Sequence, residues 1–157
     1  MTEMTTQHLR LADEEATLAL GRALAAHARA GDVIALEGGL GSGKTVLARA
    51  FVRQLADEAE DVPSPTFTLV QIYHCDSVSI WHFDLYRLND PEEALELGIE
   101  EAFHDAVSLI EWPERLGNWL PAHRLTVRLD PGESEEGRIA TLVYGPDWAR
   151  RLGNLGA

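Results

Sequence analysis

The sequence predicts a three-layer α/β domain built on a mixed β-sheet. Helical and strand patterns follow one another in the order helix, strand, helix, strand pair, short helix, strand and strand pair. Two of the strand patterns, VIALE at 33–37 and VSLIE at 107–111, are short continuous apolar runs typical of buried strands. The paired strands are joined by short turns, which indicates antiparallel hairpins. Helices combined with such a sheet are typical of a layered α/β domain.

The first half of the chain has the clearest element boundaries. A helix is predicted over Leu11–Gly31, because Asp13 is a suitable N-cap and apolar residues recur every four positions after it. The strand Val33–Glu37 follows. A glycine-rich turn then leads into a second helix over Lys44–Leu55, whose apolar side chains share one face.

The second half is predicted to complete the sheet. After a loop over Ala56–Pro65, the predicted elements are a hairpin of Thr68–His74 and Val78–Asp84, a short helix over Pro91–Leu97 capped by Asn89 or Asp90, a strand over Val107–Glu111, and a strand pair of Leu125–Asp130 and Ile139–Tyr144. Residues 1–157 are predicted to form one domain. Its ends, residues 1–10 and 149–157, are predicted to be flexible, with a tail that is either a loose helix or disordered.

Composition and charge narrow the function classes. The chain carries 13 basic and 26 acidic residues, a formal net charge of −13. Because basic side chains supply most of the affinity for nucleic acids, tight direct binding to DNA or RNA is not expected. No apolar run approaches the roughly 20 residues of a membrane-spanning helix, and the N-terminus lacks a signal-peptide pattern. The single cysteine, Cys75, favours the reducing cytoplasm.

Residues 38–45, GGLGSGKT, fit the phosphate-loop pattern G-x-x-x-x-G-K-[ST] between a predicted strand and a predicted helix. Glycines let backbone N–H groups surround phosphate oxygens, and the helix N-terminus adds positive potential. Lys44 is predicted to reach the phosphates and Thr45 to bind Mg²⁺. Lys44 is also the only lysine of the chain, which indicates a site that needs a compact ammonium group. The loop residues predicted to bind nucleotide are Gly39, Leu40, Gly41, Ser42, Gly43, Lys44 and Thr45.

A metal ion at such a loop needs an acidic residue at the end of a neighbouring strand. Asp84 and Glu111 both follow apolar strands, and the sequence leaves open which of them holds the metal. The guanine-reading motif N-K-x-D is absent from the sequence, because the only lysine lies in the phosphate loop. ATP with Mg²⁺ is therefore the predicted ligand.

Three segments together resemble one family. They are GGLGSGKT at 38–45, the pair PSPTFTLVQIYH and WHFDLYRL at 63–74 and 81–88, and the pair LGIEEAF and LIEWPERL at 97–103 and 109–116. In order and spacing, from about Leu11 to about Pro121, the chain resembles the TsaE (YjeE) family of small bacterial P-loop ATPases. The phosphate loop alone is unspecific, whereas few other ATPases carry both members of the second pair.

The resemblance implies a P-loop NTPase-like fold and a function in the formation of threonylcarbamoyladenosine on tRNA. A member of this family binds ATP, joins the proteins TsaB and TsaD, and hydrolyses ATP in a step needed for repeated cycles. TsaB and TsaD transfer the threonylcarbamoyl group. The acidic charge of the chain agrees with a tRNA that is held by these partners.

The resemblance also implies roles for individual residues. Lys44 would hold the phosphates and act in catalysis together with Asp84. Thr45 and Glu111 would bind Mg²⁺. Asp84 would belong to a switch segment that responds to the γ-phosphate and moves the turn that follows it.

Further implied roles concern the switch and the nucleotide base. Ser64 and Thr66 would belong to a second switch segment. Glu14, at the start of the first helix, would pass near the adenine, and Arg138 would reach the base or the ribose. Arg87 is interpreted either as an ordinary surface arginine or as a group that stabilises transition-state charge or holds a partner.

Several residues are given no part in the site. The six histidines show no zinc-like spacing, and His74 with His82 is interpreted as an exposed pair across the hairpin. Trp112 is interpreted as a packing residue that lies near enough to the site to report nucleotide by fluorescence.

Two alternative functions stay open. A small-molecule kinase on a P-loop fold usually has an arginine-bearing lid, whereas the stretch DPEEALELGIEE at 90–101 contains no arginine. A nucleotide-responsive binding module with negligible hydrolysis is harder to exclude, since no catalytic glutamine or arginine finger stands out.

Overall fold

The computed structural model describes residues 3–56 and 69–153. These residues form seven strands, five helices and a 3-10 segment. In chain order the elements are β1 (Thr5–Leu11), α1 (Glu14–Ala26), β2 (Val33–Glu37), α2 (Lys44–Leu55), β3 (Val70–His74), β4 (Ser79–Asp84), α3 (Glu93–Glu96), α4 (Ile99–Asp105), β5 (Val107–Glu111), the 3-10 segment (Pro113–Trp119), β6 (Leu125–Pro131), β7 (Arg138–Tyr144) and α5 (Pro146–Leu152).

The strands form one mixed sheet, as the sequence predicts. Their order is β1-β7-β6-β2-β5-β4-β3. The four central strands β6, β2, β5 and β4 run parallel to one another. Antiparallel pairs add β7 and β1 at one edge and β3 at the other. Strands β2 and β5 are buried along almost their whole length, which explains their continuous apolar sequences.

Helices cover both faces of the sheet and complete three layers. On one face, α1, α2 and α5 pack over a core in which Leu24 and Phe51 are fully buried. On the other face, α3 and α4 pack over a second core that contains Phe83, Ile99 and Leu116. The predicted three-layer α/β architecture is confirmed. Among the residues that the structure describes, no helix combines the length and apolar character that a membrane crossing requires.

Most internal boundaries follow the sequence pattern. Strands β2 and β5 and helix α2 have the predicted bounds, and both predicted hairpins are antiparallel. The side chain of Asp13 caps α1 by accepting a hydrogen bond from the N–H of Ala16 at 2.9 Å. Helix α3 is shorter than predicted and its N-cap is Glu92, while Asp90 accepts a hydrogen bond from the N–H of Glu92 at 3.0 Å.

The two ends of the chain differ from the prediction. Residues 5–10, expected to be flexible, form most of β1, which pairs with β7 from Thr5 opposite Tyr144 onward. Helix α1 therefore begins at Glu14 rather than Leu11, and it ends at Ala26. The sequence TTQHLRL belongs to an edge strand that is largely exposed, so it lacks the apolar run of the central strands. At the other end, residues 149–152, also expected to be flexible, belong to α5, which agrees with the helical alternative predicted for the tail.

Candidate functional site

A glycine-rich turn joins the buried strand β2 to the N-terminus of α2. Gly38, Gly41 and Gly43 have φ values of 143°, 75° and 105°, a region that favours glycine. A Cβ atom on Gly38 would lie 2.6 Å from Oγ of Ser42 and 2.7 Å from the carbonyl oxygen of Leu129. The path of this loop therefore requires glycine at position 38.

Lys44 begins α2 and turns back over the loop. Its Nζ donates hydrogen bonds to the carbonyl oxygens of Gly38 at 2.6 Å and Gly39 at 2.9 Å. The same atom lies 4.0 Å from the ring centroid of Trp112, within the range of a cation–π contact. Burial lowers the pKa of Lys44 below its usual value, and the negative charge of Glu111 opposes that shift. The ammonium group is thus held at the centre of the loop.

Glu111 ends β5 beside the loop and is only 2% exposed. Its Oε1 accepts a hydrogen bond from Oγ1 of Thr45 at 2.8 Å, and its Oε2 lies 2.6 Å from Nε2 of His82. Both carboxylate oxygens have partners, which offsets the cost of burying the charge. Because the hydroxyl hydrogen of Thr45 is directed at Glu111, the lone pairs on Oγ1 remain for a further ligand.

Asp84 ends β4 and lies opposite Glu111 in the parallel register of β4 and β5. Its side chain is largely buried, and Oδ1 accepts a hydrogen bond from the N–H of Tyr86 at 3.1 Å. The two acidic residues that the sequence singles out are therefore neighbours at the carboxyl ends of β4 and β5. This hydrogen bond also ties Asp84 to the turn that follows β4.

The predicted site residues that the structure describes surround one cleft of about 370 Å³. Its volume falls in the range of small-molecule sites. The cleft is lined by Glu14, Leu40, Gly41, Ser42, Gly43, Lys44, Thr45, Val46, Asp84, Tyr86, Glu111, Trp112 and Arg138. Gly39 takes part through its carbonyl oxygen, which accepts from Lys44. Ser64 and Thr66 lie outside the described residues, and Arg87 is exposed and does not line the cleft.

Arg138 at the start of β7 contacts the phosphate loop from the side. Its Nε donates to the carbonyl oxygen of Ser42 at 2.7 Å, and its Nη2 donates to that of Gly41 at 3.0 Å. The guanidinium group therefore holds the loop backbone. The proposed approach of Arg138 and Glu14 to the base or ribose stays a prediction.

The interpretation of His74 and His82 as an exposed pair across the hairpin is wrong, because His82 is buried. Its side chain is fully buried, and it lies opposite Gln71 in the hairpin, whereas His74 lies opposite Ser79. Sequence reasoning therefore missed a residue in direct contact with Glu111. The signal was available, because His82 lies two positions before Asp84 in a strand and so projects from the same face.

A second cavity, of about 180 Å³, lies at the opposite end of β2. Arg151 in this cavity donates two hydrogen bonds to Asp32, at 2.7 and 2.9 Å, so this guanidinium group already forms an ion pair. The predicted site residues line the phosphate-loop cleft instead, which is also the larger of the two.

Comparisons with known proteins show which family the chain belongs to. A sequence model of the family described as "Threonylcarbamoyl adenosine biosynthesis protein TsaE" matches residues 11–140. The chain belongs to the TsaE family. The resemblance expressed by the three sequence segments is thereby confirmed. The TsaE family takes part in tRNA threonylcarbamoyladenosine biosynthesis.

Similar proteins of the TsaE family come from several bacteria. The chain is 40% identical to the tRNA threonylcarbamoyladenosine biosynthesis protein TsaE of Rickettsia felis over 135 residues, which are 86% of this chain and 78% of that protein. It is 36% identical to the Bacillus subtilis protein of the same name over 137 residues, 87% of this chain and 85% of the other. The crystal structure of Bacillus subtilis YdiB superposes with a TM-score of 0.75 at 29% identity, and the match covers 97% of this chain and 93% of that one.

Proposed function

We propose that this protein is the ATP-binding and ATP-hydrolysing component of the tRNA threonylcarbamoyladenosine modification complex and acts with TsaB and TsaD. Membership of the TsaE family supports the pathway. The observation that carries the ATPase proposal is the hydrogen bond between Thr45 and Glu111, formed directly beside a phosphate loop that contains Lys44. This arrangement pairs phosphate-binding groups with oxygen ligands for a cation.

The loop supplies the groups that a triphosphate requires. Helix α2 has 12 residues and begins at the loop, so its N-terminal N–H groups and dipole favour an anion there. Lys44 adds a positive charge and three N–H donors, two of which bond to the carbonyl oxygens of Gly38 and Gly39. Arg138 holds the carbonyl groups of Gly41 and Ser42 and thereby limits the movement of the loop.

The residues at the loop also fit Mg²⁺. Mg²⁺ in nucleotide sites usually keeps several waters and takes one or two protein oxygens together with phosphate oxygens. Thr45 and Glu111 offer such oxygens, and within 3–56 and 69–153 no group of three or more His, Cys, Asp or Glu forms a dedicated metal cage. When bound, Mg²⁺ offsets the negative charge that develops on the phosphates. Asp84, beside Glu111, is the alternative protein ligand.

Asp84 is proposed to serve as the switch residue. Its carboxylate lines the cleft, while Oδ1 accepts from the N–H of Tyr86 in the following turn. A change in the surroundings of the carboxylate would therefore be transmitted to the turn at 85–88. Such coupling between a phosphate-sensing group and a loop is a common switching device.

The proposal also covers the partners of the protein and its location in the cell. A net charge of −13 disfavours tight contact with the tRNA backbone, so TsaB and TsaD would hold the tRNA. The protein is proposed to act in the cytoplasm, where its single cysteine would stay reduced.

The experiment that tests the proposal is Mg-ATP hydrolysis by the purified chain, alone and with TsaB and TsaD of the same organism. Strong stimulation by the two partners is expected. Tight ATP binding with no hydrolysis in either condition would favour a nucleotide-responsive binding module. Transfer of phosphate to a small metabolite would favour a kinase.

Glu111→Ala is expected to raise the Mg²⁺ concentration needed for ATP binding and hydrolysis, because Thr45 loses the acceptor that orients its hydroxyl. The measurement is a Mg²⁺ titration at constant ATP, with Glu114→Ala as a control that removes a neighbouring acid outside the Thr45 contact. An unchanged Mg²⁺ dependence would transfer the metal role to Asp84.

Binding of Mg-ATP is expected to change the tryptophan emission of the protein. Trp112 lines the cleft and lies 4.0 Å from Nζ of Lys44, so a phosphate group that draws Lys44 toward it would alter the surroundings of the indole. The measurement compares the parent with Trp112→Phe, which retains Trp81, Trp119 and Trp148. An equal change in the variant would show that a different tryptophan reports the nucleotide.

A further inference from the structure

His82 is a buried polar residue outside the predicted site. Its side chain is fully buried, and its Nε2 lies 2.6 Å from Oε2 of Glu111, which is itself almost inaccessible. Strand β4 places His82 opposite Leu109 and Asp84 opposite Glu111. Because alternate residues share one face of a sheet, His82, Asp84 and Glu111 all project from the same face.

In the hydrogen bond between His82 and Glu111, the histidine is the donor and the carboxylate is the acceptor. A carboxylate only accepts hydrogen bonds, so the hydrogen is assigned to Nε2 of His82. Within the described part of the chain, Nδ1 of His82 has no hydrogen-bond partner. The imidazole therefore directs its polar interaction at one atom, Oε2 of Glu111.

Glu111 is held from both sides as a result. His82 on β4 fixes Oε2, and Thr45 at the start of α2 occupies Oε1. If the imidazole donor is lost, the carboxylate can rotate and the Thr45 hydroxyl no longer has a fixed acceptor. Outer hydrogen bonds of this kind orient metal ligands, and their loss typically lowers metal affinity by about 10- to 100-fold.

We propose that His82 is a positioning residue for the cation site: its Nε2–H holds Glu111 so that the lone pairs of Thr45 face the metal. This inference rests on the proposed function, since it assumes that Thr45 and Glu111 serve Mg²⁺. It adds a residue that acts through Glu111 and does not touch the nucleotide.

Two substitutions of His82 distinguish the effect of its N–H donor from the effect of the size of its side chain. In His82→Gln the amide nitrogen lies the same number of bonds from Cα as Nε2 and can still donate to Glu111. His82→Met has a similar length and no N–H donor. A purely structural role for His82 would make both variants unstable to a similar degree, whereas a positioning role separates them.

The test is a Mg²⁺ titration of the binding of a fluorescent, non-hydrolysable ATP analogue to the full chain, repeated in EDTA. In His82→Met the half-saturating Mg²⁺ concentration is expected to rise by about 10-fold or more. His82→Gln is expected to stay near the parent, and binding in EDTA is expected to be the same in all three proteins. Equal Mg²⁺ dependence of the parent and His82→Met would overturn the inference, as would equal weakening by both substitutions.

A urea unfolding curve in EDTA accompanies each titration. If His82→Met does not fold, His82→Asn replaces it, because its shorter amide falls short of Oε2 of Glu111 and the same rise in Mg²⁺ requirement is expected. Failure of the proposed function is a different result: the parent would then bind no ATP analogue at any Mg²⁺ concentration, which would overturn this inference as well.

Discussion

Lys44→Ala is expected to weaken ATP binding by about 10- to 150-fold, because a hydrogen bond from a charged group contributes about 1.5–3 kcal/mol. The ammonium group is buried at the centre of the loop and donates to two loop carbonyl oxygens. Among the described residues of the cleft, the other basic residue is Arg138, and it cannot replace Lys44 because its guanidinium group is engaged with the loop backbone. The measurement is equilibrium binding of Mg-ATP by calorimetry.

Two further variants sharpen this prediction. Arg53→Ala removes the same charge from an exposed position at the other end of α2 and is expected to bind ATP like the parent. Lys44→Arg keeps the charge but brings a planar group into a narrow loop, and it is expected to bind poorly. Parental affinity of Lys44→Ala would mean that the phosphate loop does not bind the nucleotide.

Asp84→Ala is expected to retain ATP binding and to lose hydrolysis in the complex with TsaB and TsaD. The carboxylate lines the cleft beside Glu111, but the groups proposed to bind phosphate lie on the loop and on α2. A positioned acid–base or orienting group typically contributes about 100-fold or more to the rate. The measurement is the rate of phosphate release at saturating Mg-ATP.

The matched variant is Asp84→Asn, which can keep an acceptor for the N–H of Tyr86 and removes the negative charge. Low hydrolysis in both variants would assign the role to the charge, and low hydrolysis in Asp84→Ala alone would assign it to the hydrogen bond with the turn. Glu96→Ala, an exposed acid on α3, serves as the control. Hydrolysis at the parental rate by Asp84→Ala would show that the switch role is wrong.

The sequence predicted the part of the site that depends on local chemistry. The glycines of the loop pattern indicate backbone conformations that other residues rarely adopt, and Gly38 indeed has a positive φ. Asp84 and Glu111 could be placed together because both lie at the carboxyl ends of strands, and these strands are parallel neighbours in the mixed sheet. The bounds of α2 followed from its helical spacing and from the loop that precedes it.

Contacts between residues distant in the chain could not be predicted in this way. His82 and Glu111 are 29 residues apart. The alternation of β4 indicates that His82 shares a face with Asp84, but the contact with Glu111 also depends on the pairing of β4 with β5. Arg138 and Ser42 are 96 residues apart, and their contact depends on where β7 begins relative to the loop. Strand β1 was missed because a mostly exposed edge strand needs few apolar residues.

The measurement that tests the central claim most directly is the amount of threonylcarbamoyladenosine formed on tRNA by TsaB and TsaD when the threonylcarbamoyl donor is in excess. With this protein and Mg-ATP, product is expected to accumulate over many rounds. Without the protein, or with Lys44→Ala in its place, product formation is expected to stop after the first round. Continued product formation without it, or equal product with Lys44→Ala, would contradict the proposal that its ATPase site drives repeated cycles.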